Sequence, residues 1–180
     1  DRNGVVARTT VLAENHPGGF SALYPVYAHL EETGRLRRGY FVEGLGGSQF
    51  ALPGAVDRLR SQAEPEIVAL AAADPANPYG GIVPWPDSVS RLARDAGAYV
   101  ILHGGRLVAY LDKGRRNLTT FAPAEEVYAD IGRALGEIGQ RHRRVVLRTV
   151  DTEPAPDSRL APVLREWGFA PDPKGLAYRS

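Results

Sequence analysis

The sequence predicts an α+β chain in two modules, residues 1–64 and 65–180. Three observations point there. A helical stripe opened by Ser21 and stopped by Gly34 runs straight into a basic hairpin turned by Gly44 to Gly47, which is the order of a winged helix. Gly104-Gly105 separates two apolar runs, and such a turn permits the positive φ that tight hairpins require. Beyond it, a second amphipathic stripe alternates with further short apolar runs.

Gly4 to Arg8 is assigned to a first helix or a leading strand, and Thr9 to Asn15 to a short helix. His16-Pro-Gly-Gly19 turns the chain into the long helix. There Leu23, Val26, Tyr27 and Leu30 recur at the i, i+3, i+4, i+7 spacing of one face. Ser21 is the expected cap, and Pro25 lies near enough to the first turn to leave the helix intact. Arg37, Arg38 and Tyr40 open a strand, Gln49 to Leu52 returns, and Gly54 to Gln62 closes the module with Val56 and Leu59 facing its core. Pro65 marks the boundary.

The second module opens on an apolar strand, Ile67 to Ala72. Asp74 to Gly81 and Pro84-Trp-Pro86 form an irregular loop. Ala98 to His103 and Arg106 to Asp112 form the hairpin, and Leu118 to Phe121 adds a strand. Pro123 to Gln140 is a helix opened by proline, with Val127, Ile131, Leu135 and Ile138 on one stripe. Val145 to Val150 is a strand. A helix capped by Asp157 or Ser158 runs to Trp167 and stops at Gly168, and Leu176 to Arg179 is a last strand.

Composition bounds the function. With 43% hydrophobic and 24% charged residues the chain can bury a core. It has no apolar run of about 18 residues, the length a membrane span requires. No signal peptide opens it, and the absence of methionine points to a fragment. Zero cysteine excludes disulfides and thiol catalysis, and makes a cytoplasmic protein the natural expectation. A net charge of +1 is not that of a strongly basic nucleic-acid binder, so any phosphate contact must come from local clusters. One is Arg35, Arg37 and Arg38 beside the wing; another is Arg141, Arg143, Arg144 and Arg148.

At the wing, the three arginines suit phosphates and Tyr40 suits stacking on a base or sugar, with Ser21 and Tyr24 on the helix's outer face. The alternative is a solvated strand in a protein-contact module. Glu31, Glu32 and Glu43 would repel phosphate, so the helix C-terminus should point away from DNA. Asp74, Asn77, Tyr79 and Trp85 share a rigid loop that either forms a pocket for an unpaired base or only bonds its own backbone. Asp74, Asp151 and Asp172 are weak catalytic candidates for positioning water. The four histidines show no metal-ligand spacing, so no metal site is expected.

The strings RRGYFVEGLGGSQFALPGAVDRLRS, LAAADPANPYGGIVPWP, AGAYVILHGGRLVAYLDKG and GFAPDPKGL resemble the C-terminal region of Lhr-type, large helicase-related, superfamily 2 DNA repair helicases. The resemblance spans nearly the whole chain. It implies a winged helix followed by a β-barrel-like α+β module, carried by a much longer parent. Its partners would be DNA, single-stranded or duplex, and the rest of that helicase. A motor needs a phosphate-binding loop ending in Gly-Lys-Thr or Gly-Lys-Ser, and neither Lys113 nor Lys174 stands in one. No cofactor is therefore expected here; ATP and magnesium belong to the parent's motor domains. The fragment's expected role is to bind or position nucleic acid or to pack against neighbouring domains. The family's likeness to winged-helix glycosylases of the AlkZ type raises base excision as an alternative. Those enzymes use Gln-x-Gln, and Gln49, Gln62 and Gln140 do not reproduce it. An oligomerisation or protein-interaction module, with a possible homo-oligomer, is the third reading.

Overall fold

The computed structural model describes residues 3–61, 64–122, 124–142 and 144–179. The chain divides into two compact units, residues 1–63 with 81–84 and residues 64–80 with 85–180. No helix among the described residues is long and apolar enough to cross a membrane.

The first unit begins with a strand β1 (Val5–Val6) and a short helix α1 (Arg8–Ala13). The long helix α2 (Gly19–Glu32) follows, then β2 (Arg37–Gly39), β3 (Gln49–Ala51) and α3 (Pro53–Arg60). Strand β3 lies between β1 and β2 in an antiparallel sheet, with Arg38 opposite Phe50 and Arg37 opposite Ala51. Helix α2 starts from Gly18, in the left-handed region at φ 77°, so Ser21 is not its cap but an exposed residue inside the first turn. The helix continues through Pro25. It ends as glycine dictates: Gly34 turns left-handed at φ 74°, and its N–H donates to the Glu31 carbonyl at 2.8 Å.

None of α2 is fully buried. Its aromatic side chains hold it instead. Phe50, 1% exposed, meets the rings of Tyr27, Tyr24 and Phe20 at centroid distances of 5.3, 5.9 and 6.5 Å. Val26 and Leu59, expected on core faces, are 53% and 59% exposed. In α3 only Val56 is buried, because eight residues give a single inward position on so short a stripe. Gln62, the expected end of that helix, lies outside the described residues.

The wing is fixed by one side chain. Gln49 is fully buried, and its Oε1 accepts the N–H groups of Phe41 and Val42, each at 2.9 Å. Its Nε2 donates to the carbonyls of Val42 and Leu45 at 3.0 and 2.7 Å. The amide thus replaces ladder partners that the irregular segment 40–48 lacks.

The second unit carries β4 (Ile67–Ala71), β5 (Tyr99–His103), β6 (Arg106–Leu111), β7 (Asn117–Thr120), α4 (Tyr128–Arg141), β8 (Val146–Leu147), β9 (Thr149–Val150), β10 (Glu153–Pro154), α5 (Ala161–Glu166), β11 (Phe169–Asp172) and β12 (Gly175–Tyr178). A six-stranded sheet runs β10-β9-β7-β6-β5-β4, antiparallel except for β7 beside β9. A second sheet runs β11-β12-β8. The sheets do not close into the barrel that the resemblance implies. The reason is local: the expected single strand 145–150 breaks at Arg148, whose N–H leaves the ladder for the Arg116 carbonyl at 2.6 Å. Strand β8 then pairs with β12 while β9 pairs with β7, so the run is divided between two open sheets. At the open end β10 has two residues and passes straight into a 3-10 turn, Ala155–Asp157, leaving little ladder to pair with an opposite edge.

Helix α4 packs Ile131, Leu135 and Ile138, all fully buried, into the core. Val127 is buried too, but in a 3-10 turn before the helix, and Pro123 lies outside the described residues. Helix α5 is shorter than expected, with Pro162 in its first turn, and Asp157 and Ser158 precede it without capping it. After α4, His142 Nε2 lies 2.7 Å from the Tyr99 hydroxyl. Burial, then the charges of Arg115 and Arg141, lower the pKa of His142 below its ordinary 6.5.

Two outcomes follow from these contacts. Gln49→Leu leaves two donors and two acceptors of the wing loop without their partner and is expected to cost about 3 kcal/mol, read as a fall in the urea midpoint. For His142, the unfolded chain binds the proton more tightly than the folded one. Its contribution is therefore complete above pH 6.5 and declines as pH falls below that value. Melting temperatures at descending pH should drop more steeply for the parent chain than for His142→Gln.

Candidate nucleic-acid interface

The wing presents its cations on two faces. Side chains alternate along a strand, so Arg37 and Arg38 point to opposite sides of β2. Arg38 lies opposite Phe50 and therefore on the side of α2. There its Nε is 3.3 Å from Glu31 Oε2, and its Nη1 donates to the Tyr24 hydroxyl at 3.3 Å. Glu31, at the helix C-terminus, thus reaches the wing. Such a half-exposed pair contributes about 0–1 kcal/mol to stability, but it partly cancels the charge of Arg38. Arg35 and Arg37 are exposed and form no ion pair among the described residues. Tyr40, just past β2, is 90% exposed. Ser21 is exposed on α2, Tyr24 is half-buried against Phe50, and the acids Glu32 and Glu43 are exposed.

The structure thus brings Tyr24 and Arg38 together, and sets Arg35, Arg37 and Tyr40 free at the surface. The residue that sequence reasoning missed is Gln49. A glutamine opening a strand reads as a surface position, and only its four hydrogen bonds reveal that it shapes the wing.

In the second unit the aromatic loop is knitted to its own backbone. Asp74 Oδ1 accepts the Ala76 N–H at 2.8 Å, and buried Asn77 accepts the Tyr79 N–H while donating to the Ala72 carbonyl. Arg94 donates to the carbonyls of Asp74, Asn77 and Tyr79. Tyr79 stacks on Trp85, which meets Tyr110 edge-on at 5.7 Å. These are the contacts of a structural loop. Burial, then Asp95 and Asp112 against the relieving bond from Ala93, raise the Tyr110 pKa, so this hydroxyl stays protonated.

The remaining carboxylates stand apart in their use. Asp151 engages both oxygens, accepting the Thr120 N–H at 2.6 Å and its hydroxyl at 2.5 Å. Asp172 accepts the Lys174 N–H with Oδ1 at 3.0 Å, and among the described residues neither its Oδ2 nor that of Asp74 makes a hydrogen bond. Among the described residues no group of three or more histidines and acids is placed to hold a metal ion.

Comparison with known proteins agrees with this architecture. Residues 1–69 match the family model of the large helicase-related protein winged-helix domain. The chain is 39% identical over 188 residues to the Lhr helicase/uracil glycosylase of Escherichia coli (strain K12), an alignment that takes in 98% of this chain and 12% of that protein. It is 50% identical over 130 residues to the Lhr helicase/probable uracil glycosylase of Mycolicibacterium smegmatis, covering 67% of this chain and 9% of that one. The chain therefore spans about a tenth of the length of the curated relatives it matches. By these matches and by its helix-and-wing first unit, the chain belongs to the Lhr-type, large helicase-related family, to the C-terminal region of those helicases.

Proposed function

We propose that this chain is a nucleic-acid-positioning part of a longer Lhr-type DNA repair helicase. The observation that carries the reading is the exposed cationic and aromatic edge of the wing: Arg35, Arg37 and Tyr40, whose side chains have no partner among the described residues, on a hairpin locked by Gln49. Arginines there neutralise phosphates and the tyrosine ring offers a stacking face. The parent acts in the cytoplasm, and its ATP and magnesium are held by motor domains elsewhere in its chain.

The test is fluorescence anisotropy with single-stranded and duplex oligonucleotides at two salt concentrations. Arg37→Glu is expected to weaken binding about tenfold and to flatten the salt dependence. Arg38→Glu should have the smaller effect, because Glu31 already offsets that charge. Equal, negligible effects of both would remove the wing from the interface.

A second reading rests on the names of both relatives, which carry uracil excision. Hydrolysis of the glycosidic bond needs a carboxylate with an oxygen free to position water. Asp172 and Asp74 have one and Asp151 does not. In this reading, alkali cleavage of uracil-containing DNA at enzyme excess falls in Asp172→Asn or Asp74→Asn and survives in Asp151→Asn.

A further inference from the structure

Five cations of the second unit converge on one cleft. A cavity of about 280 Å³ is lined by Arg115, Arg116, Arg144, Arg148 and Lys174, with Gly114 and Val146 completing its wall. These residues come from segments far apart in the chain. Arg115 and Arg116 lie in the turn between β6 and β7, Arg144 precedes β8, Arg148 separates β8 from β9, and Lys174 lies in the turn between β11 and β12.

The convergence is built. The Arg116 carbonyl accepts the N–H groups of Arg148 and Thr149 at 2.6 and 3.3 Å, pinning the first turn to the second strand junction. Strand β12 pairs with β8 so that Leu176 faces Leu147, which carries the Lys174 turn to the same place. Gly175 permits that approach. It lies at φ 138°, and a Cβ there would overlap the Leu147 carbonyl. Arg115 itself holds a left-handed backbone, φ 52°, which is uncommon for a residue with a side chain.

None of the five forms an ion pair among the described residues. The nearby carboxylates accept from other donors without pairing with these cations among the described residues. Asp112 accepts the N–H groups of Arg116 and Asn117 and the Asn117 amide, and Asp172 accepts the Lys174 N–H. Arg115 Nε is buried and has no hydrogen-bond partner among the described residues. Crowded like charges repel, and guanidinium forks are donors without acceptors, so the cleft presents cations that no acid among the described residues pairs with.

We propose that this cleft is a second phosphate-binding site, taking backbone phosphates of the nucleic acid. It lies in the other unit from the wing and does not depend on the wing being an interface. A free phosphate ion shares this chemistry. Nucleic acid is favoured because cations from two turns and from both ends of β8 line one opening, matching a chain of successive charges better than a single ion.

The test uses the whole chain and the double variant Arg116→Gln with Arg148→Gln, whose guanidinium groups make no bond that holds the fold. Binding of a labelled oligo-dT is followed across a salt series. The variant is expected to bind about tenfold more weakly, with the slope of log K against log salt reduced by ~0.7 for each phosphate contact removed. The same loss should appear on an Arg37→Glu background, which separates this cleft from the wing. Inorganic pyrophosphate should raise the melting temperature of the parent chain and not that of the variant. Without added anion at low salt, the variant should melt at or above the parent, since repulsion has been relieved. Unchanged oligo-dT affinity and salt slope overturn the proposal, including the case where pyrophosphate still binds, which would assign the cleft to free phosphate. A variant that melts well below the parent overturns it too, by making the cluster structural.

Discussion

The wing exists as a defined surface because one neutral amide is buried whole. Between β2 and β3 the chain runs through residues 40–48 with almost no ladder of its own. Backbone donors and acceptors in such a segment must be met by water or by side chains. Gln49 meets four of them from inside, and it does so from a strand whose next residue, Phe50, anchors the aromatic cluster of α2. Two adjacent residues therefore couple the hairpin to the helix. An amide suits the task because it offers both an acceptor and donors without a charge to desolvate. A carboxylate there could accept but not donate, and would carry a buried charge.

The second unit solves a different problem. Its sheets stay open, so covering them falls to α4, whose apolar stripe is fully buried, and whose adjoining buried flank is lined by glycines while Arg133, Glu137 and Gln140 face outward. Gly132, Gly136 and Gly139 face Val163, Trp167 and Tyr178, and a Cβ at any of them would press on those groups. The glycines cost helix propensity but allow α5 and β12 to approach closely. Strand β12, which the glycines pack against at Tyr178, pairs with β8 and so carries the β11–β12 turn, with Lys174, toward Arg148. Packing at the core and charge at the surface are thus two consequences of one arrangement.

Much of this was legible in the sequence, and the illegible parts share a cause. Helices α2 and α4 and the β5–β6 hairpin announce themselves, because periodicity over ten or more residues and a Gly-Gly turn are local signals. The aromatic loop's self-bonding was also readable, since Asp and Asn beside proline favour backbone turns. Strand β11 was hidden, because Phe-Ala-Pro-Asp carries residues that argue against a strand, and only pairing with β12 makes it one. The break at Arg148 was hidden too. An uninterrupted run of strand formers gives no sign that half of it belongs to another sheet. At the wing, the exposure of Arg37 and Tyr40 was readable, whereas the Arg38–Glu31 pair and the role of Gln49 needed three dimensions. Arg144 and Arg148 could be grouped by proximity in the chain, but Arg115, Arg116 and Lys174 join them only through the β7–β9 and β12–β8 pairings.

Net charge is a poor guide for a chain built this way. A value of +1 averages the wing arginines and the cleft against acids spread over 180 residues. Screening confines each charge's influence to about 10 Å at ordinary ionic strength, so a phosphate meets the local cluster and not the sum. What decides is whether the nearest carboxylates are free to neutralise that cluster. At the wing Glu31 does so for Arg38 and leaves Arg37 alone. At the cleft Asp112 and Asp172 accept from backbone amides, and among the described residues none of the five cations forms an ion pair. The pairing of a few acids, more than the count of arginines, therefore sets where the proposed phosphate contacts fall on this Lhr-type region.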